Sequence, residues 1–359
     1  MDIIFNLFKV RFKVLEDLIK KEEIMIQENS KVNIFINLDC VFNYLASSPS
    51  LENELQIMND KRKAYMLISN IINLAAHYRL FFSKNQIYSN VFIYTTFPFN
   101  ANVKNKDYFP EYRYPYSSKF TNKPSNILLS NLIVDNIDLA SMILEYIKGV
   151  YFIQSKSFEN SLVPELVIDE KPGFLNFLVT TDPYDYQYVN KGFVIVHPKK
   201  EESFLVTRNN LWERVGVDSK INTSLYSFVL SVTGNKLRGL PKIKGMGIKS
   251  VIKVLEKALD SKVITNEVTN IGMLIRLIRD EYVEMVLTNY HCIDLDFQKS
   301  YVHMSAKLEI AKQLVDKFDN LGLQELSNQY FKEYPLNLEE ITDAYRLERS
   351  NIKVRSSIW

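Results

Sequence analysis

Cysteine is nearly absent: Cys40 and Cys292 are the two thiols in 359 residues. Two thiols make no disulfide framework, and neither has the spacing of a zinc site. Each lies in an apolar run, which fits a buried free thiol. Glycine and proline are sparse, at 10 and 11 residues, which excludes a collagen-like or linker-dominated chain. Charge of one sign is missing too. There are 44 basic and 42 acidic side chains, a net of +2, so any surface that attracts nucleic acid must be local. His77, His197, His291 and His303 lack ligand spacing and read as structural or surface residues. No apolar run approaches the roughly 18 residues that span a bilayer. Lys9, Arg11 and Lys13 interrupt the first one, which argues against a signal peptide. The expectation is a soluble cytoplasmic or otherwise intracellular protein, or one carried in a virion, with no membrane partner.

What is present is globular: 47% apolar and 24% charged residues, enough for one large α/β domain or two domains. Residues 1–28 alternate apolar positions such as Ile4, Phe8, Leu15, Leu18 and Ile19 with Lys and Glu, as an amphipathic helix does. Such a helix docks on a protein partner, lies on a membrane or packs on its own core. The two-sided cations favour packing. Lys31–Leu38 is β-branched and aromatic and predicts a strand. Further strands are predicted at Val91–Tyr94, Val150–Ile153, Phe177–Thr180 and Phe193–Val196, with helical patterns at about 56–82 and 126–148. Strands alternating with helices imply a mainly parallel sheet. From about 205 the pattern is helical.

Residues 95–125 are irregular and rich in Pro, Asn, Lys, Tyr and Phe. The aromatics of that stretch, from Phe97 to Tyr116, suit base stacking beside Lys104, Lys106, Arg113 and Lys119, or packing on the sheet. Two acids stand where strands end, Asp39 and Asp182, and ligands of open parallel sheets bind at those ends. Each has an ordinary alternative: Asp39 as a helix cap, and Asp182, before Pro183, as the opening of a turn.

The most informative stretch is 234–262. Seven Lys and one Arg face Glu256 and Asp260, a net of +6 in 29 residues, and the rest of the chain is net −4. Gly245 and Gly247 flank Met246 just before an apolar-periodic helix. Glycines there allow a tight turn whose backbone N–H groups, at a helix N-terminus, hold a phosphodiester without reading a base. Lys242, Lys244, Lys249 and Lys253 surround the turn. The plain alternative is a surface helix with solvated lysines.

The run Gly239-Leu240-Pro241-Lys242-Ile243-Lys244-Gly245-Met246-Gly247-Ile248-Lys249-Ser250 resembles the helix–turn–helix phosphate clamp of the 5′-nuclease superfamily. That superfamily includes flap endonucleases, the 5′-nuclease domain of DNA polymerase I and the ribonuclease H of T-even phages. The family pattern is Gly-Val-Pro-Gly-Ile-Gly-x-Lys-Thr-Ala, here with one residue inserted. Upstream, Asn37-Leu38-Asp39 resembles the first strand and its metal-binding Asp. Phe109-Pro110-Glu111-Tyr112-Arg113 resembles the approach to the helical arch. Phe158-Glu159 lies where the family has Glu-Ala-Asp-Asp, and Thr180-Thr181-Asp182-Pro183-Tyr184-Asp185 resembles its Thr-x-Asp-x-Asp strand end. Downstream, Asn289 to Asp296 resembles the segment after the clamp.

The resemblance implies a PIN-like α/β fold, with a mainly parallel sheet and flanking helices, followed by a helical region containing the clamp. It divides the chain into an N-terminal extension (1–30), a nuclease-like domain (31–204) and a helical region (205–359). It implies a site for Mg²⁺ or Mn²⁺ at Asp39, Glu159, Asp182 and Asp185. Lys104, Lys106 and Arg113 would face the scissile phosphate. The clamp would comprise Lys242, Lys244, Gly245, Gly247, Lys249 and Lys253 on duplex DNA, a flap or an RNA–DNA hybrid, with a monovalent cation at the turn. Hard divalent ions want oxygen ligands, and a pair of them stabilises attacking and leaving oxygens.

The departures are as informative. The acid expected after the second strand is replaced by Tyr94-Thr95-Thr96, Glu-Ala-Asp-Asp has become Glu159-Asn160-Ser161-Leu162, and Lys236 and Arg238 put positive charge where the family has metal ligands before the clamp. Two expectations follow: a metal-dependent 5′-nuclease of replication or recombination, or an eroded relative that binds nucleic acid or serves a structural or virion role.

Overall fold

Every side chain of the stretch Val32–Asn37 is buried, and successive ones point to opposite sides, as the period of a strand requires. Val32, Ile34 and Ile36 enter one apolar core and Phe35 the other. This stretch is β1 (Lys31–Asn37) of a six-stranded sheet with β2 (Tyr88–Thr95), β3 (Val150–Gln154), β4 (Leu175–Val179), β5 (Phe193–His197) and β6 (Phe204–Val206). The computed structural model describes residues 1–26, 31–49, 51–85, 87–96, 123–147, 149–155, 158–170, 175–235, 238–265, 271–301 and 304–314. The strand order is β3-β2-β1-β4-β5-β6. The first five strands are parallel, and β6 is antiparallel to β5. Three residues are too few to show alternation, so β6 was illegible in a stretch that reads as the start of the helical region.

Asn33 fixes the register at the centre of the sheet. It lies opposite Asn90 of β2 and Asn176 of β4, and amide-to-amide bonds of 3.1 Å join all three side chains. A slip of one residue would send each amide to the other face and break both bonds. Tyr151, Phe92 and Phe35 stack across β3, β2 and β1 at 5.0 and 4.9 Å.

On one face lie α1 (Asp2–Phe8), α2 (Phe12–Lys21), α3 (Leu38–Ser47), α4 (Leu51–Ile57), α5 (Asp60–Lys84) and α6 (Pro124–Glu145). The N-terminal stretch is therefore two helices broken at Lys9–Arg11, where a single amphipathic helix is the sequence expectation. Its apolar stripe packs on the protein's own core, the alternative that the two-sided cations favour. Phe5 and Phe8 are fully buried, worth about 1.5–3 kcal/mol each. The Tyr78 hydroxyl donates to the Phe8 carbonyl at 2.7 Å, and Glu22 accepts from Asn210 and pairs with Arg214 across the sheet edge. Helix α6 is long and apolar enough by composition to cross a bilayer. Here Leu129, Ile133, Ile137, Ala140 and Ile143 sit in the core.

Two half-buried histidines tie neighbouring elements together. His77 Nε2 is 2.8 Å from the Val10 carbonyl. His197 stacks on Phe204 at 4.6 Å, with Nδ1 2.7 Å from the Tyr186 hydroxyl. Burial lowers both rings from 6.5 to about 4. Between those values the unfolded chain binds protons that the native state refuses, so their contribution weakens as pH falls from 6.5 toward 4. Urea midpoints at pH 7 and pH 5 should drop more for the wild type than for His77→Gln/His197→Gln. Equal drops would refute the assignment.

The second face carries α7 (Val163–Glu170), a 3₁₀ helix at Pro183–Lys191, α8 (Leu211–Arg214), α9 (Tyr226–Thr233), α10 (Ile248–Asp260), α11 (Ile271–Leu274), α12 (Asp280–Ile293), α13 (Leu295–Tyr301) and α14 (Met304–Gln313). Trp212, Tyr226, Val251, Leu255 and Val286 share one core with Phe35 and Phe92 of the strands. The helices after 205 are thus the cover of the sheet's second face. From β1 the chain moves outward through β2 and β3, then returns to place β4 on the other side of β1. The carboxyl ends of β1 and β4 flank that switch point, where open α/β sheets bind ligands.

Candidate carboxylate site and nucleic-acid interface

Asp39 lies in the first turn of α3, directly after β1, where the helix dipole favours an anion. It is 1% exposed and receives donors from two other strand ends. After β2, the Thr95 hydroxyl donates to Oδ1, and the Thr96 hydroxyl (3.0 Å) and N–H (3.3 Å) donate to Oδ2. After β3, Asn160 Nδ2 donates to the same oxygen at 2.6 Å. Thr95 and Thr96 stand where the family resemblance led us to expect an acid, and both supply hydrogen-bond donors, as does Asn160 beside Glu159.

Glu159 and Asp182 meet around a cation. Arg238 Nη1 contacts Glu159 Oε1, and Nη2 lies 3.2 Å from Asp182 Oδ2. All three residues are buried. The other Asp182 oxygen accepts from the Tyr184 N–H at 3.0 Å and caps the 3₁₀ helix. Asp182 therefore opens a turn and also holds a charge. The guanidinium lies 3.7 Å from the centre of the Tyr184 ring, a cation–π contact. Tyr184 is itself fixed, because its hydroxyl donates to the Ile293 carbonyl at 2.7 Å and accepts from Gln298.

Asp185 has a different character. It is fully buried, and burial, followed by the charge of Asp182, pushes its carboxyl up to about 8. It accepts from the Thr180 hydroxyl at 2.6 Å and Asn37 Nδ2 at 3.1 Å. Beside it, burial pushes the Cys40 thiol up to about 12, so this sulfur is inert.

Divalent ions need carboxylate oxygens that face a shared space and carry negative charge. In this arrangement Glu159 and Asp182 face a guanidinium, Asp39 faces hydroxyl and amide donors, and Asp185 accepts from Thr180 and Asn37. The donor set does not fit Mg²⁺ or Mn²⁺, and among the described residues no three His, Cys, Asp or Glu side chains group to hold a metal ion. Arg238 thus engages Glu159 and Asp182, two of the four residues expected to hold metal. Arg238 was legible as a charge in the wrong place, but its partners lie 79 and 56 positions away and were not.

The turn between α9 and α10 includes Gly234, Asn235 and residues 238–247. Asn235 and Leu240 form a bridge, and the Arg238 N–H donates to the Asn235 carbonyl at 3.1 Å. Buried Asn289 of α12 donates to the carbonyls of Ser231 (2.8 Å) and Pro241 (2.7 Å) and holds the turn against α9. Gly245 has φ +80°, and a Cβ at Gly245 or Gly247 would meet no atom within 4 Å, so this stretch of backbone is open. Gly247 caps α10 with no side-chain cap. Lys242, Lys244, Gly245, Gly247, Lys249 and Lys253 are all exposed around it, and the opposite side of α10 buries Val251, Ile252 and Leu255. Lys104, Lys106 and Arg113, with the aromatic segment around them, lie outside the described residues.

No protein-family model matches the sequence. The fold is similar to the crystal structure of the D15 protein of phage T5 co-crystallised with metal ions, with a TM-score of 0.51 and 10% identity, over 88% of this chain and 99% of that one. The chain carries the 5′-nuclease fold. A second structure of that phage protein, described as a flap endonuclease in complex with DNA and metal ions, matches with a TM-score of 0.49 and 10% identity over 89% of this chain and 99% of that one. In sequence, 88 residues, 24% of this chain, are 31% identical to the thermostable DNA polymerase I of Thermus aquaticus, of which they span 10%. The segments that follow β1, β3 and β4 carry Asp39, Glu159 and Asp182.

Proposed function

We propose that this protein binds the phosphodiester backbone of duplex nucleic acid, as a 5′-nuclease-like protein acting on DNA flaps or RNA–DNA hybrids in replication or recombination. The observation that carries the reading is the turn at Gly245–Gly247. Open backbone caps a 13-residue helix with no side-chain cap, and four lysines stand around it. N–H groups at a helix N-terminus bind phosphate oxygens in place of a cap. The two cations of α10, Lys249 and Lys253, would add a sequence-independent attraction. Such contacts fix position and do not read bases. In this reading Lys104, Lys106 and Arg113 add contacts to a phosphate near a flap junction, and a monovalent cation sits at the turn. The buried Arg238 ion pairs favour binding over metal-dependent cutting as the main activity.

The experiment is anisotropy titration of a 5′-flap duplex, a plain duplex and an RNA–DNA hybrid in K⁺ salts of rising concentration. Replacing Lys249 and Lys253 by Gln should weaken binding to every sequence and reduce the slope of log K against log salt by about 1 per lysine. Binding left unchanged by both substitutions would sink the clamp. Running the same substrates with EDTA, Mg²⁺ or Mn²⁺ separates binding from cutting. Metal-dependent cleavage lost in both Asp39→Ala and Asp182→Ala would favour the enzyme.

A further inference from the structure

We propose that Arg238 is the resident cation of the carboxylate site, taking the place that a divalent ion would need, so that the site is closed to Mg²⁺ and Mn²⁺ in the native protein. Three independent contacts support this. The guanidinium bridges acids that follow two different strands, Glu159 after β3 and Asp182 after β4. It lies on the face of Tyr184, a ring locked by Ile293 and Gln298. The third acid, Asp39, already has Thr95, Thr96 and Asn160 as donors. A fixed, planar guanidinium matches two carboxylates with directed N–H bonds, and a second cation beside it would meet like charge in a poorly screened interior.

The placement also links two parts of the molecule. Arg238 belongs to the same turn that carries Gly245 and Gly247, so its ion pairs tether the proposed backbone clamp to the carboxyl edge of the sheet. In a metal site, ions would hold the acids together and leave the turn free of this tie. Here the tie is covalent to the turn and needs no ion. The inference concerns charge within the protein and does not depend on nucleic-acid binding. Its readouts contain no nucleic acid, so either reading can fail alone.

The test uses the full chain and manganese as the probe. Thermal melts of the wild type in EDTA and in millimolar Mn²⁺ should coincide, and water-proton relaxation should show no stoichiometric Mn²⁺ site. Arg238→Ala should melt lower in EDTA, regain part of the loss in Mn²⁺, and bind Mn²⁺ in a manner lost on adding Glu159→Gln. If Arg238→Ala does not fold, Arg238→Gln, which keeps amide donors without the charge, takes its place with the same readouts. A Mn²⁺-induced rise or a stoichiometric site in the wild type overturns the proposal. So does a variant that folds and stays indifferent to Mn²⁺, because a merely structural ion pair behaves that way.

Discussion

Replacing Glu159 with alanine lowers the unfolding free energy by about 3–5 kcal/mol, the usual cost of stripping one partner from a buried ion pair. Arg238 is 2% exposed, so water does not replace the lost carboxylate. Asp182, at 3.2 Å, then shares the guanidinium with no second acid. The sign is what makes the experiment informative. In a site built from acids awaiting metal, removing one carboxylate from the metal-free protein relieves like-charge repulsion and raises stability. Here the same substitution lowers it. Urea unfolding in EDTA measures the difference, and a gain of stability in Glu159→Ala would show that Arg238 does not depend on this acid. Glu159→Gln should lose less, because its amide oxygen still accepts from the guanidinium.

Replacing Gly234 with alanine costs about 3 kcal/mol or more, through backbone strain together with overpacking. Gly234 has φ +61° and ψ 179°, a region open essentially to glycine alone. The added Cβ would stand 2.3 Å from the Pro241 oxygen and 2.6 Å from its carbonyl carbon. Both are backbone atoms, and Asn289 holds that carbonyl in place, so neither side gives way cheaply. The expected result is a large fall in the urea midpoint, together with weaker duplex binding by the protein that remains folded. Gly245→Ala is the control. It shares a positive φ but has open space around it, so its cost is near the 1–2 kcal/mol of a left-handed residue. Equal stability losses at the two positions would show that the close approach to Pro241 is not what fixes glycine at 234.

The sheet was legible where its signal is local. β1 to β5 announce themselves by β-branched and aromatic runs, and the helices between them by apolar spacing, so a mainly parallel α/β sheet followed by helices follows from the sequence. The gap between Phe8 and Phe12 was less legible, because the apolar spacing continues through the break at Lys9–Arg11. The asparagine ladder of Asn33, Asn90 and Asn176 had no signal in any one segment. Three polar residues in three strands look like scattered exceptions until the register sets them side by side. The candidate site divides in the same way. Asp39 and Asp182 stand out as acids at strand ends, and the glycine turn stands out beside a basic helix.

The sequence by itself determined the inventory: which segments prefer strand or helix, which acids end the strands, and that Thr95-Thr96, Ser161-Leu162 and Arg238 stand where acids were expected. Only the tertiary structure decided what those substitutions do. Whether a guanidinium is a solvated surface charge or a buried counter-ion depends on residues far along the chain, because charge pairing acts through space and desolvation. A scarcity of net charge said little about this protein. The folded chain buries Arg238 among its acids and leaves Lys242, Lys244, Lys249 and Lys253 exposed around an open turn.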